Sequence, residues 1–216
     1  MTYLEAVNSV LRRLREREVS SVSDNAYSKL IGDFVNDAMS EVENSWNWSA
    51  LRTTLTLTTT PSIFNYALTN SRNKFTVIDV INDTTNLFMT YKSGPEFDKL
   101  FLTQDPVATG APIYYNWNGV NASGDTQVDV YPVPEAAYSI RFNVVLRNLE
   151  LSADTDEIVI PSKPVVLLAL ARAIEERGED GGSSSQYAYG SGMRALADEI
   201  AFDAARRPED TIWYEV

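Results

Sequence analysis

The run Ser45-Trp46-Asn47-Trp48-Ser49-Ala50-Leu51-Arg52-Thr53-Thr54-Leu55-Thr56-Leu57 changes its hydrophobic period partway along, and that change divides the chain. Upstream, apolar residues recur every three or four positions. Tyr27, Leu30, Ile31, Phe34, Val35, Ala38, Met39 and Val42 make the broad apolar face of a long helix, with Ser23 or Asp24 as its expected cap. From Leu51 onward the period is two. Leu51, Thr53, Leu55 and Leu57 alternate with Arg52, Thr54 and Thr56, and the threonines favour strand over helix. Trp46 and Trp48 stand at the corner, where indoles are expected to pin helix to sheet.

Working outward, Thr2 and Glu5 have capping-box spacing, and Leu4, Val7, Leu11 and Leu14 form a stripe behind them, so a first helix is expected there. Past the corner, strands are expected at Ile63–Ala67, Phe75–Ile81, Leu87–Tyr91, Ile113–Trp117, Thr126–Tyr131 and Tyr138–Leu146, with a short helix within Ser93–Leu102. The last strand is the clearest, with Tyr138, Ile140, Phe142, Val144 and Leu146 on one face. No βαβ unit is present, so these strands should pair antiparallel. A third helix follows from Pro164 to Ile174. It is apolar nearly all round and must be buried on several sides, at the centre of a bundle or under a second chain. The Gly/Ser/Tyr stretch Ser183–Gly192 reads as a loop, and Met193–Arg207 as a fourth helix. The expected fold is α+β: a four-helix bundle (residues 1–50 and 161–207) with an antiparallel β-sandwich or barrel (51–160) inserted, and a tail at 208–216.

The chain lacks cysteine and histidine, which removes disulfides, Cys/His zinc sites and imidazole-assisted nucleophiles. Its 18 basic residues against 30 acidic ones give a net charge of -12, which repels nucleic acid. Met1-Thr2-Tyr3-Leu4-Glu5 has neither the basic leader nor the apolar run of a signal peptide. The longest apolar run, Val165–Ala171, is too short to cross a bilayer, so no membrane partner is expected.

The acidic hinge Glu175-Glu176-Arg177-Gly178-Glu179-Asp180-Gly181-Gly182 admits three readings. A calcium loop would need acidic side chains at alternate positions and a twelfth-position glutamate, and the glycines at 178, 181 and 182 fall elsewhere. Glycoside hydrolysis would need two carboxylates facing each other across a sugar. The third reading is structural: Gly178 ends the helix while Gly181 and Gly182 turn the chain. We expect no catalytic, cofactor or metal residues, and treat these glycines as a hinge. After Arg206 and Arg207 comes Ile212-Trp213-Tyr214, an apolar run that is costly to leave in water. These five residues are the expected partner-binding set.

Several segments together resemble the head-to-tail adaptor (tail tubular protein A) family of short-tailed bacteriophages. They are Leu4-Glu5-Ala6-Val7-Asn8-Ser9-Val10-Leu11, Phe34-Val35-Asn36-Asp37-Ala38, Trp46-Asn47-Trp48-Ser49-Ala50-Leu51-Arg52, Pro164-Val165-Val166 and the hinge from Glu176 to Gly182. The resemblance implies a structural virion protein of the neck, made in the host bacterial cytoplasm. Such proteins form a ring, commonly of twelve copies, between the portal and the tail nozzle. Tail fibres can dock on the ring, and DNA passes through it without sequence-specific binding. Some members of that family are associated with peptidoglycan hydrolysis. That keeps a hydrolase alternative with Glu175, Glu176, Glu179 and Asp180 as its acids, beside a carbohydrate-binding alternative that uses Trp117.

Overall fold

The computed structural model describes residues 1–72, 74–103, 105–178 and 183–206. The chain is α+β and divides into two compact units. One is helical and is built from Met1–Leu51 together with the described residues from Asn148 onward; the other is the β unit Arg52–Arg147. The segment from Asn148 to Ile160, expected with the β module, therefore belongs to the helices.

In the helical unit, α1 spans Tyr3–Arg13 and opens on the anticipated box. Thr2 Oγ1 accepts from Glu5 N at 3.2 Å, and Glu5 Oε2 accepts from Thr2 N at 2.8 Å. Helix α2, Ala26–Ser45, is capped by Asn25 rather than by Ser23 or Asp24. Asp24 is occupied one turn earlier, where Oδ2 accepts from Ser20 N, Ser20 Oγ and Ser21 N. Those bonds, the one from the Ser20 backbone first, lower its pKa. At Gly32 a Cβ would fall on the Tyr3 hydroxyl and lie 2.9 Å from Val22 Cγ1, so only glycine lets these segments approach.

Helix α4, Ser162–Arg177, lies against α1, α2 and α5 (Ser183–Ala204) of the same chain. Its all-round apolarity is thus accounted for at home, and a second chain is not needed to cover it. The expected Ser183–Gly192 loop is instead the first half of α5. Ser185, Ala188, Gly192 and Ala195 are buried at helical spacing, and a Cβ at Gly192 would come within 2.9 Å of Leu168 Cδ2. Small residues let α5 settle on α4, and that packing overrides their weak helix propensity.

The β unit holds two four-stranded sheets. The first, in the order β1-β8-β3-β4, comprises β1 (Arg52–Thr58), β8 (Ser139–Leu146), β3 (Phe75–Asn82) and β4 (Leu87–Phe88). The second, in the order β2-β7-β6-β5, comprises β2 (Asn65–Ala67), β7 (Thr126–Tyr131), β6 (Tyr114–Val120) and β5 (Thr90–Tyr91). The expected single strand Leu87–Tyr91 is two: Phe88 pairs with Ile81 in the first sheet, and Thr90 pairs with Tyr114 in the second. The β5–β6 pair is parallel, an exception to the antiparallel expectation. Among the described residues neither sheet closes into a barrel. Leu57, Val80, Ile140 and Phe142 from one sheet meet Tyr115, Val128 and Val130 from the other in one core. Helix α3, Gly94–Leu102, buries Phe97, whose ring meets Phe101 and Tyr131.

Candidate functional site

Both ends of the described chain meet in the helical unit, and a run of backbone bonds fixes the return segment to α1. Tyr3 N donates to Asp156 O at 2.8 Å, Leu4 N to Asp154 O at 3.2 Å and Ile158 N to Met1 O at 2.9 Å. Asn36 on α2 exchanges two bonds with the Leu151 backbone, donating to its carbonyl at 3.0 Å and accepting from its N–H at 2.9 Å. Val22 N donates to Asp154 Oδ1 at 2.9 Å. Burial, and then the carboxylates of Asp33, Asp154 and Glu150, push the Tyr3 phenol up to about 12.

Elsewhere in this unit a groove of about 470 Å³ runs between the end of α5, the 3₁₀ turn Ser49–Leu51 and the segment Ile158–Lys163. Trp48 forms part of its wall. It is 1 % exposed, and its Nε1 donates to Val42 O at 2.8 Å. Asp203, also buried, anchors α5 here: Oδ2 accepts from Trp46 Nε1 at 2.8 Å and from Ser49 N at 3.1 Å, and Oδ1 accepts from Ser49 Oγ. The two indoles expected to pin helix to sheet are thus held by partners inside the helical unit. Around the groove Met1, Val159 and Phe202 stay exposed, Phe202 at 71 %. Lys163 and Arg206 line the same groove and form no ion pair among the described residues.

Of the expected partner-binding residues, Arg206 is placed at this groove. Arg207, Ile212, Trp213 and Tyr214 lie outside the described residues, as do Glu179, Asp180, Gly181 and Gly182 of the hinge. Gly178 closes α4 in the left-handed region at φ 64°, where glycine carries no Cβ penalty. Beside it Arg177 Nε donates to the Tyr27 hydroxyl at 2.9 Å, and Nη2 donates to Glu16. These two bonds, the one to Tyr27 first, raise its pKa and tie the end of α4 to α2 and to the stretch after α1. Glu175 and Glu176 are exposed on the last turn of α4. Among the described residues no three carboxylates gather closely enough to hold a metal ion. Trp117 is half-buried and packed by Phe75, Tyr115 and Phe142, with ring centroids 5.3, 5.4 and 5.8 Å away.

Asp203 and Asn36 are not legible as anchors in the sequence. Asp203 lies on an amphipathic helix, where one more acid looks like solvent-facing charge. Asn36 falls on the polar side of α2, and nothing local reveals that its amide matches a backbone stretch 115 positions away.

The chain belongs to the SU10 adaptor protein family, whose model matches residues 1–211. It is therefore a phage adaptor, a structural protein of the virion neck that works with portal and tail components. No curated protein matches the chain. Among the described residues no helix is long and apolar enough to cross a membrane.

Proposed function

We propose that this adaptor is of the tail tubular protein A type. In this reading twelve copies close into a ring that joins the portal above to the tail nozzle below, with tail fibres able to dock on it. The observation that carries the reading is the family match, which runs from the first helix past the end of the last described one. The four helices α1, α2, α4 and α5 form a bundle that builds the ring wall, and the β unit faces outward or toward the tail. Arg206, Arg207, Ile212, Trp213 and Tyr214 engage the portal, while Gly178, Gly181 and Gly182 set the turn between α4 and α5.

The role is non-enzymatic. Glu175 and Glu176 are neighbours on an exposed helix end, whereas hydrolysis needs two carboxylates on opposite sides of a bound sugar. A net charge of -12 suits a channel through which DNA slides, because binding would need Lys and Arg to neutralise phosphates.

Mixing purified protein with portal and imaging the product along its axis tests the proposal. A ring of twelve copies on the portal is the expected result, and a product without rings overturns it. The same protein should show no salt-sensitive binding to duplex DNA at physiological salt. It should leave peptidoglycan intact; digestion that is lost on Glu176→Gln would restore the hydrolase alternative.

A further inference from the structure

Near its end β6 carries an exposed asparagine whose next residue has no side chain, Asn118 before Gly119. We propose that Asn118 is a modification site at which the folded chain deamidates itself, giving aspartyl and β-linked isoaspartyl products.

The reaction requires the Gly119 amide nitrogen to reach the Asn118 carboxamide carbon, and four observations favour that approach. The first is the neighbour. A Cβ on the following residue crowds the attack, and Asn118 is the one asparagine of the chain that precedes glycine. The second is space. Asn118, Gly119 and Val120 are all exposed, and nothing lies within 4 Å of where a Cβ at Gly119 would stand. The third is side-chain freedom. The amide of Asn8 is held by Val19, that of Asn36 by Leu151 and that of Asn143 by Asp79. The Asn118 side chain forms no hydrogen bond among the described residues. The fourth is the backbone. Trp117 faces Val128 and Val120 faces Thr126, so Asn118 and Gly119 together oppose Gln127 alone. Such a bulge interrupts the ladder, and Gly119 takes φ 73° in it. Asn70 and Asn86 are also exposed, but Ser71 and Leu87 follow them and carry the Cβ that Gly119 lacks.

The Gly119 N–H gives its proton to hydroxide. Its nitrogen bonds to Asn118 Cγ, the carboxamide C–N bond breaks, and ammonia leaves with a proton from water. Water then opens the cyclic imide at either carbonyl. The sum is one water consumed and one ammonia released, with no oxidant or reductant. Opening at the main-chain carbonyl lengthens the backbone by one methylene, which a bulge already out of one-to-one register can absorb. Either product sets a new carboxylate on the exposed end of β6, so the β unit grows more acidic as the protein ages. The proposal does not depend on the adaptor reading.

The test follows freshly purified full-length protein through incubation in mildly alkaline buffer. The mass should rise by the exchange of NH for O, faster at higher pH, and peptide mapping should place the change at position 118. An isoaspartate-specific methyltransferase should label the same peptide. Asn118→Gln should abolish the labelling, because its longer side chain would have to close a larger ring. Gly119→Ala should slow it several-fold, and near-ultraviolet dichroism checks the fold of that variant, whose alanine is strained at this φ. An unchanged mass, a first change at Asn70 or Asn86, or labelling that survives Asn118→Gln overturns the proposal. Labelling seen only after denaturation also overturns it, since the fold would then hold the site shut.

Discussion

The helical unit and the β unit hold themselves together by different means. Beside its apolar core, the helical unit has long-range ties that are polar and specific: Asn36 to the Leu151 backbone, Val22 N to Asp154, Trp46 to Asp203, Arg177 to Tyr27 and Glu16. In the β unit the ties between sheets are mainly apolar, with the rings of Phe75, Tyr115, Trp117 and Phe142 meeting edge-on or tilted beside a buried bond from Asn82 Nδ2 to Pro112 O at 3.1 Å. Chain continuity explains the difference. The β unit is one uninterrupted stretch whose strand register already selects partners. The helical unit joins two stretches separated by that whole unit, and apolar helix faces alone would leave their register loose. Partly buried hydrogen bonds that fit one alignment narrow the choice, because a slip would break them.

The largest effects should come from the two cores. Phe142→Ala removes a fully buried ring from the β core and is expected to cost about 3–5 kcal/mol. Near-ultraviolet dichroism, dominated in that unit by Trp117 and its neighbours, should change with it while the far-ultraviolet helical signal is kept. Simultaneous loss of both signals would show that the units do not melt separately. Leu168→Ala, at the α4–α5 contact, should cost about 2–5 kcal/mol and act on the helical signal first.

A smaller effect is expected at Asp203. Alanine there removes the carboxylate that accepts from Trp46 Nε1 and from Ser49, for a loss of about 1–3 kcal/mol by denaturant unfolding. A loss below about 0.5 kcal/mol would mean that the polar ties do not specify the helical unit, and the contrast between the two units would disappear.

The smallest effects are expected in the pH limbs. Tyr3 has a folded pKa raised from 10.0 to about 12, so its contribution is full below pH 10 and is lost as pH rises through 12. Tyr3→Phe should therefore flatten the alkaline limb of the helical transition between those values. Asp156 has its pKa lowered below 3.8, chiefly by the Ser152 N–H and then by the Ala153 N–H. Its contribution is present above 3.8 and is lost as pH falls further, so Asp156→Asn should flatten the acid limb. Unchanged limbs in both variants would remove the ionisable groups from the forces that hold this unit.

Much of the architecture is written in local sequence. The Thr2/Glu5 box, the switch of period after Trp48, the alternation through Ile140, Phe142 and Val144, and β7 at Thr126–Tyr131 each depend on residues a few positions apart. Hydrogen bonds of caps and the pleat of strands act over that same range, so reading them needs no knowledge of partners. The anticipated helix–β–helix order follows from these signals, as does the close of α4 at Gly178.

Other features are decided only by tertiary structure. Ser183–Gly192 is helix because Leu168 fills the space that Gly192 leaves, a fact about two residues on different helices. Leu87–Tyr91 is shared between two sheets because Phe88 and Thr90 meet different neighbours, Ile81 and Tyr114. Asp203 closes the groove beside Arg206 only once α5 has brought it to Trp46 and Ser49, 157 and 154 positions back along the chain. Sequence carries the chemistry of each group. Which groups become partners is settled by the packing that removes both from water, since only there does an unmatched donor, a missing Cβ or a mis-set register cost enough to choose one arrangement.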